Sequence, residues 1–374
     1  MLVNNTSVLS EREKRYSDVL TAYEYNTYFR QTFSTAWLFI TGSGIILNSV
    51  SIQAFFTMGL KDSVTTSMFY QSVADLGFVL AAFIQALAFV VRIFDVRDTT
   101  ILTLDPFLIL AYFANIRQIF YSVAILTTTF IAVARCMCVY MPLKFKGMFT
   151  IKRTVATLSG FTIFAFLNHF PTVLTLQVVS KGQNVTRIGV KFSKAYRLAT
   201  DIELLTSDGI LSSATEVIGV ICFTVLVRCL QNSSKQRRVM RAPFSPGDHV
   251  IPNGDSTATK AISLSGKELQ VVRQVALLCA IYIFCNIPNV GVAVSRLIIP
   301  GFHLGGGLNF LYSMVVSLRV LFDCLNSSVN FFVYYKYNSK FRGALCGEGK
   351  GKAETRKTVI SHGTQCKGGG KGVV

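Results

Sequence analysis

Seven long apolar stretches constrain this chain more than any other feature. They lie at about residues 33–58, 67–91, 106–140, 154–179, 209–230, 270–294 and 308–335. A hydrocarbon layer of roughly 30 Å needs about 20 apolar residues per helix, and each stretch is long enough to cross one. Lipid offers no partner for backbone N–H and C=O groups, so a spanning segment satisfies them within itself as a helix. Charged residues make up only 15% of the chain, against about 25% in a soluble domain. The expectation is an all-α membrane protein, a seven-transmembrane helix bundle over residues 33–335 with a short amphipathic eighth helix. An N-terminal extracellular segment, 1–32, precedes the bundle. A polar, basic stretch rich in Ser, Gly and Pro, 231–268, reads as a flexible inner loop. Residues 336–374 hold the amphipathic helix and a Gly- and Lys-rich tail that reads as disordered.

The formal charge of +18 raises nucleic-acid binding as a class, and the distribution of charge argues against it. Thirteen basic residues fall in the proposed inner loops and eight in the outer ones, which sets the N-terminus outside by the positive-inside rule. The first 30 residues lack the apolar core of a cleavable signal peptide, so the first span is expected to target the chain. Asn4, Asn5 and Asn184 head glycosylation acceptor triplets that this topology places outside. The sequence carries no nucleotide-binding loop, metal cluster or hydrolase triad, and an enzyme is not expected.

Ionisable residues inside apolar stretches are functional-site hypotheses by default, because an unpaired charge there is costly. Arg117 lies 18 residues before Arg135 on the third stretch, about 27 Å along a helix. One reading has Arg117 bind an anionic or carbonyl group of a ligand, with Gln118 and Tyr121 beside it. The other has it pair with Glu216 or Asp75. Arg319 and Asp323 are four apart and are expected to pair locally. Glu216 needs a cationic or hydrogen-bonding partner. His169 reads as a satisfied core group. Asp75 is either a protonated, hydrogen-bonded structural acid or an ion site.

The stretch from Thr127 to Phe145 ends an apolar helix on Arg135 and then runs through Met141-Pro142-Leu143-Lys144. It resembles the inner end of the third span in rhodopsin-like G-protein-coupled receptors, although Ala134 and Cys136 stand where that family has an acid and an aromatic. Tyr282-Ile283-Phe284-Cys285-Asn286-Ile287-Pro288 resembles the family's sixth-span pattern, with Asn286 in place of tryptophan. Asn330-Phe331-Phe332-Val333-Tyr334 resembles its seventh-span motif, with Phe331 in place of proline. Motif style is most similar to invertebrate peptide (FMRFamide-like) and chemosensory receptors.

What the resemblance implies is a receptor in the plasma membrane. Its partners would be an extracellular peptide or small-molecule ligand, a heterotrimeric G protein, arrestin and membrane lipids. Arg117, Gln118, Tyr121, Glu216, Asn286 and Arg319 would face the ligand. Arg135, Glu268, Pro288, Asn330 and Tyr334 would form the activation switch, with Glu268 restraining Arg135 at rest. Asp75 fits the family's sodium-binding aspartate, while Ala124 replaces a hydroxyl usual nearby. Asn48 fits the asparagine of the first span, or a plain interhelical hydrogen bond. The family's outer disulfide would need a cysteine near Leu110, and none of the nine lies in an outer loop, so that bridge is not expected and the second outer loop should be less constrained. Phe341 and Leu345 would lie on the lipid side of the eighth helix, with Lys336, Lys340 and Arg342 at headgroups, and Cys346 is an acylation candidate. A transporter or channel subunit is the alternative class, and a non-signalling receptor the third.

Overall fold

A computed structural model of the chain describes residues 3–95, 105–141, 147–181, 187–241, 266–302 and 307–346. In chain order the elements are α1 (Val3–Met58), α2 (Ser63–Asp95), α3 (Pro106–Tyr140), α4 (Ile151–Thr175), β1 (Leu176–Lys181), β2 (Arg187–Phe192) and α5 (Lys194–Glu203). A π-helical segment (Leu204–Leu211) leads into α6 (Ser212–Arg241), followed by α7 (Gly266–Ile298), α8 (Asn309–Tyr337) and α9 (Ser339–Leu345).

The local sequence explains where these helices begin. Asp105 caps α3 by accepting from the Phe107 amide at 2.9 Å, and Pro106 follows in the first turn, where its missing N–H costs nothing. Asp62 accepts from the amides of Val64 and Thr65 at 3.1 and 2.8 Å ahead of α2. Ser193 caps α5 and Asn338 caps α9 in the same way. Gly59, at φ 78°, ends α1 in the left-handed region, and its amide reaches the carbonyl of Phe55 at 3.1 Å.

Six helical segments are long and apolar enough to cross a membrane: Tyr28–Met58, Ser63–Ile93, Pro106–Tyr140, Lys194–Ser234, Leu269–Ile298 and Phe310–Tyr337. The fourth helix is more polar, because Asn168, His169 and Pro171 sit in its outer half. Large apolar side chains point outward: Phe39 and Leu297 are each 78% exposed and Leu167 is 65% exposed. A water-facing surface does not carry such a band, so the chain is a multi-pass helical membrane protein.

The inside is split between one aromatic cluster around Trp37, Phe78 and Tyr121 and a second around Phe55, Ile131 and Tyr334. Helix α3 touches α2, α4, α6 and α7. Helix α1 closes against α8 at Gly44, where an added Cβ would collide with Ser328 and come within 3.1 Å of Val79. Asn48 bridges the same helices, donating to the Ser327 carbonyl at 2.9 Å.

The described part of segment 1–32 is helical from Val3 and continuous with the first span. Three expectations change. The fifth helical run starts well before residue 209, and α6 extends through residues 231–241, which read as loop in the sequence. Residues 176–181 leave the fourth span and pair with β2 in an antiparallel hairpin, from Leu176↔Phe192 to Lys181↔Arg187. The described part of this outer loop is therefore ordered by backbone pairing, and the Asp105 amide adds a bond to the Ile188 carbonyl at 2.9 Å. Finally, Phe341 does not face lipid: it is fully buried against Phe55, Phe331 and Tyr334.

Candidate functional site

Two arginines and two aspartates meet between α3, α8 and the π-helical segment. Arg319 on α8 donates from Nη1 and Nη2 to the two oxygens of Asp208 at 2.7 and 2.8 Å, a bidentate pair. Gln118 on α3 adds a bond to Asp208 Oδ1 at 3.0 Å. Asp323 lies one turn from Arg319, its Oδ2 3.7 Å from the Arg319 Nε and 3.8 Å from Arg117 Nη1. Arg117 also donates from Nε to Gln85 Oε1 at 2.9 Å, and its guanidinium stands 5.5 Å over the Phe78 ring. All four charged residues are buried.

The π-helix explains how Asp208 gets there. One wide turn shifts the side-chain register of the fifth span, and such turns gather at functional sites. Its neighbours hold it against α4. Asn168 donates to Ser207 Oγ at 2.6 Å and accepts from Thr206 at 2.9 Å. His169 Nε2 shares a hydrogen bond with Ser122 Oγ at 2.9 Å, and its Nδ1 lies 2.9 Å from Glu203 Oε1. His169 is thus a fully buried core residue.

A second polar layer adjoins the first. Tyr121 donates to Asn286 Oδ1 at 2.8 Å. Asn289 donates to Tyr121 Oη at 3.0 Å and to Ser212 Oγ at 2.7 Å. Asn286 donates from Nδ2 to Glu216 Oε2 at 2.9 Å, which supplies the hydrogen-bonding partner Glu216 needed. The asparagine that replaces the family's aromatic therefore ties α3, α6 and α7 together. Pro288 sits between Asn286 and Asn289 inside the continuous α7.

These contacts correct one pairing and add a partner to another. Arg117 pairs with neither Glu216 nor Asp75; Gln85 and Asp323 take it. The Arg319–Asp323 contact exists, but Asp208 is the closer partner. Sequence reasoning missed Asp208, Gln85, Asn289 and Ser212. A hint was available for Asp208, because two arginines inside apolar helices demand more acid than Asp323 alone.

Deeper in the bundle, Asp75 accepts from Asn330 Nδ2 at 2.8 Å and from Gln71 Nε2 at 3.2 and 3.1 Å. Amide N–H groups converge on this carboxylate, and Ala124 offers no oxygen. In this arrangement amide groups from α2 and α8 hold the Asp75 carboxylate. A cavity of about 10 Å³ beside them, lined by Gln71, Thr128, Asn326, Asn330 and Tyr334, has room for about one water.

Near the end of α3, no described carboxylate lies in ion-pair contact with Arg135. The Glu268 side chain lies outside the described residues, as do the side chains of Asn4, Asn5 and Asn184. Cys346 is an exposed free thiol at the end of α9.

Residues 38–179, less than half of the chain, match the family model of the serpentine type 7TM GPCR chemoreceptor Srx. The match runs from the first span to β1. It supports the receptor class and the chemosensory branch of the motif resemblance, not the peptide-receptor branch. No curated protein matches the chain.

Proposed function

We propose that this chain is a plasma-membrane chemoreceptor with an outer N-terminus that binds a small molecule and activates a heterotrimeric G protein. The observation that carries the reading is the buried Arg117–Asp323–Arg319–Asp208 cluster, next to a hydrogen-bond layer that ends on the Pro288 helix. A structural cluster alone has no need of that second connection. The likeness to serpentine chemoreceptors supports the same reading and favours a small molecule over a peptide. Helix α4 then serves as the seventh span.

In this mechanism the ligand contacts Arg117 and its neighbours between α3, α6, α7 and α8. Tyr121, Asn286 and Asn289 carry the change to α7, because the ligand alters which of these buried groups are satisfied. Pro288 frees a backbone carbonyl and lets the inner half of α7 swing. Asn330 and Tyr334 settle the inner half of α8, and Arg135 lines the cavity that accepts the G protein. The ligand shifts this equilibrium only by its differential affinity for the two states. Arrestin engagement, glycosylation at Asn4, Asn5 and Asn184, acylation at Cys346 and lipid contact of α9 belong to the same proposal.

Purified receptor in lipid nanodiscs with purified G protein decides the matter. Ligand-stimulated nucleotide exchange is the expected result. Substrate flux into liposomes without any exchange would replace this reading by a transporter.

A further inference from the structure

The cluster is fully hydrogen-bonded on one side and not on the other. Arg319 and Asp208 are fully engaged with each other at 2.7 and 2.8 Å, and Arg117 Nε is held by Gln85. Arg117 Nη1 and Asp323 Oδ2 remain, 3.8 Å apart, and each is a buried atom with no hydrogen bond. Unmade hydrogen bonds on buried charged groups are costly, so this gap is primed for a guest.

We propose that the gap recognises an uncharged small molecule through a hydroxyl or primary amide that accepts from Arg117 Nη1 and donates to Asp323 Oδ2. The proposal rests on the receptor reading above and names its ligand class. Charge balance decides the class, because two guanidinium groups and two carboxylates sum to zero. A carboxylate guest would satisfy Arg117 but set its charge against Asp323. An ammonium guest would satisfy Asp323 but face Arg117 and Arg319. Either leaves a net charge buried, which is expensive. A hydroxyl oxygen bonds at about 2.9 Å to a nitrogen and about 2.7 Å to an oxygen, and both distances fit across the 3.8 Å gap. The surroundings suit an apolar body: Phe78, Ala82 and Val320 belong to the adjoining buried cluster. The expected ligand is thus a neutral amphiphile, an alcohol or amide on a hydrocarbon chain.

The test uses the full chain in nanodiscs and four probes of equal chain length: 1-hexanol, hexanamide, hexanoate and hexylammonium. Thermal midpoint reports binding, and nucleotide exchange on the G protein is read in parallel. In the wild type, hexanol and hexanamide raise the midpoint and the two charged probes do not. Asp323→Asn leaves a surplus positive charge and turns the preference to hexanoate. Arg117→Gln leaves a surplus negative charge and turns it to hexylammonium. This inversion separates recognition from misfolding and from partition of the probes into lipid. A wild type that prefers a charged probe, or binds none, overturns the proposal, as does a preference unmoved by both variants. Selective binding without any nucleotide exchange supports it and counts against the G-protein reading alone. Exchange driven by another ligand class while hexanol and hexanamide stay inert overturns it and leaves the receptor reading standing.

Discussion

Arg319 on α8 grips Asp208 of the π-helical segment with two parallel hydrogen bonds, 2.7 and 2.8 Å long. This pair bolts α8 to the segment that leads into α6, with Gln118 of α3 as a third point of contact. Both partners are more than nine-tenths buried. Removing one strands the other in a low-dielectric interior, which costs about 3–5 kcal/mol.

Asp208→Asn is therefore expected to lower the thermal midpoint of the purified protein sharply. Arg319→Gln in the Asp208→Asn background removes the stranded charge and should return much of the loss. A single variant that melts with the wild type, or a double variant worse than the sum of the two singles, contradicts this pairing.

The third helix was legible as an apolar run at about 106–140, and the helix observed is Pro106–Tyr140. The fifth was not. Asp208 stands one residue before the apolar run that marks the span, so hydropathy put it in a loop. A π-turn also shifts register by one residue, which a 3.6-residue period does not reveal. The β-hairpin was hidden for another reason: Leu176, Val178 and Val179 extend the apolar run of α4, and hydropathy cannot separate a strand from the end of a buried helix. Phe341 read as lipid-facing because amphipathicity shows which face is apolar, not whether protein or lipid covers it. Ionisable residues inside the apolar runs were easy to find, but which of them pair depends on rotations between helices that apolar periodicity does not reveal.

Asn286 joins three helices through Tyr121, Ser212 and Glu216. Asn286→Leu fills similar volume and leaves those groups unmatched, at roughly 1–3 kcal/mol for each buried group left without a partner. Because the bonds hold α7 to α3 and α6, their loss should raise ligand-independent nucleotide exchange as well as lower the thermal midpoint. A lower midpoint with unchanged basal exchange would make the layer structural only.

Gly44 and Gly160 offer a paired test of packing. A methyl at Gly44 meets Ser328 and Val79, whereas nothing lies within 4 Å of one at Gly160. Gly44→Ala is expected to destabilise by about 1–3 kcal/mol through overpacking. Gly160→Ala should be neutral or gain up to about 1 kcal/mol from helix propensity. Thermal midpoints of the two variants in the same detergent check the order, and a reversed order would place the α1–α8 contact elsewhere.

Arg135 raises the question of what restrains the resting receptor. Ala134 stands where the rhodopsin-like receptors that this stretch resembles carry an acid, and among the described side chains none makes an ion pair with Arg135. Asp62 exerts its charge on Arg135, yet its oxygens already accept from Val64, Thr65 N and Thr65 Oγ1 at 2.7 to 3.1 Å. A carboxylate committed to a helix cap is a poor lock. Glu268 belongs to the first turn of α7, 20 residues before Pro288, and the family places its restraining acid there. As a proposal, Glu268 holds Arg135 at rest. A partly exposed pair is worth on the order of 1 kcal/mol, or several-fold in population. Glu268→Gln at matched surface expression should raise basal nucleotide exchange several-fold, and Arg135→Ala should abolish coupling. Asp62→Asn should mainly weaken the α2 cap, lowering the thermal midpoint with little change in basal exchange. If Asp62→Asn rather than Glu268→Gln releases basal activity, the restraint comes from the second span and Glu268 serves only the start of its own helix.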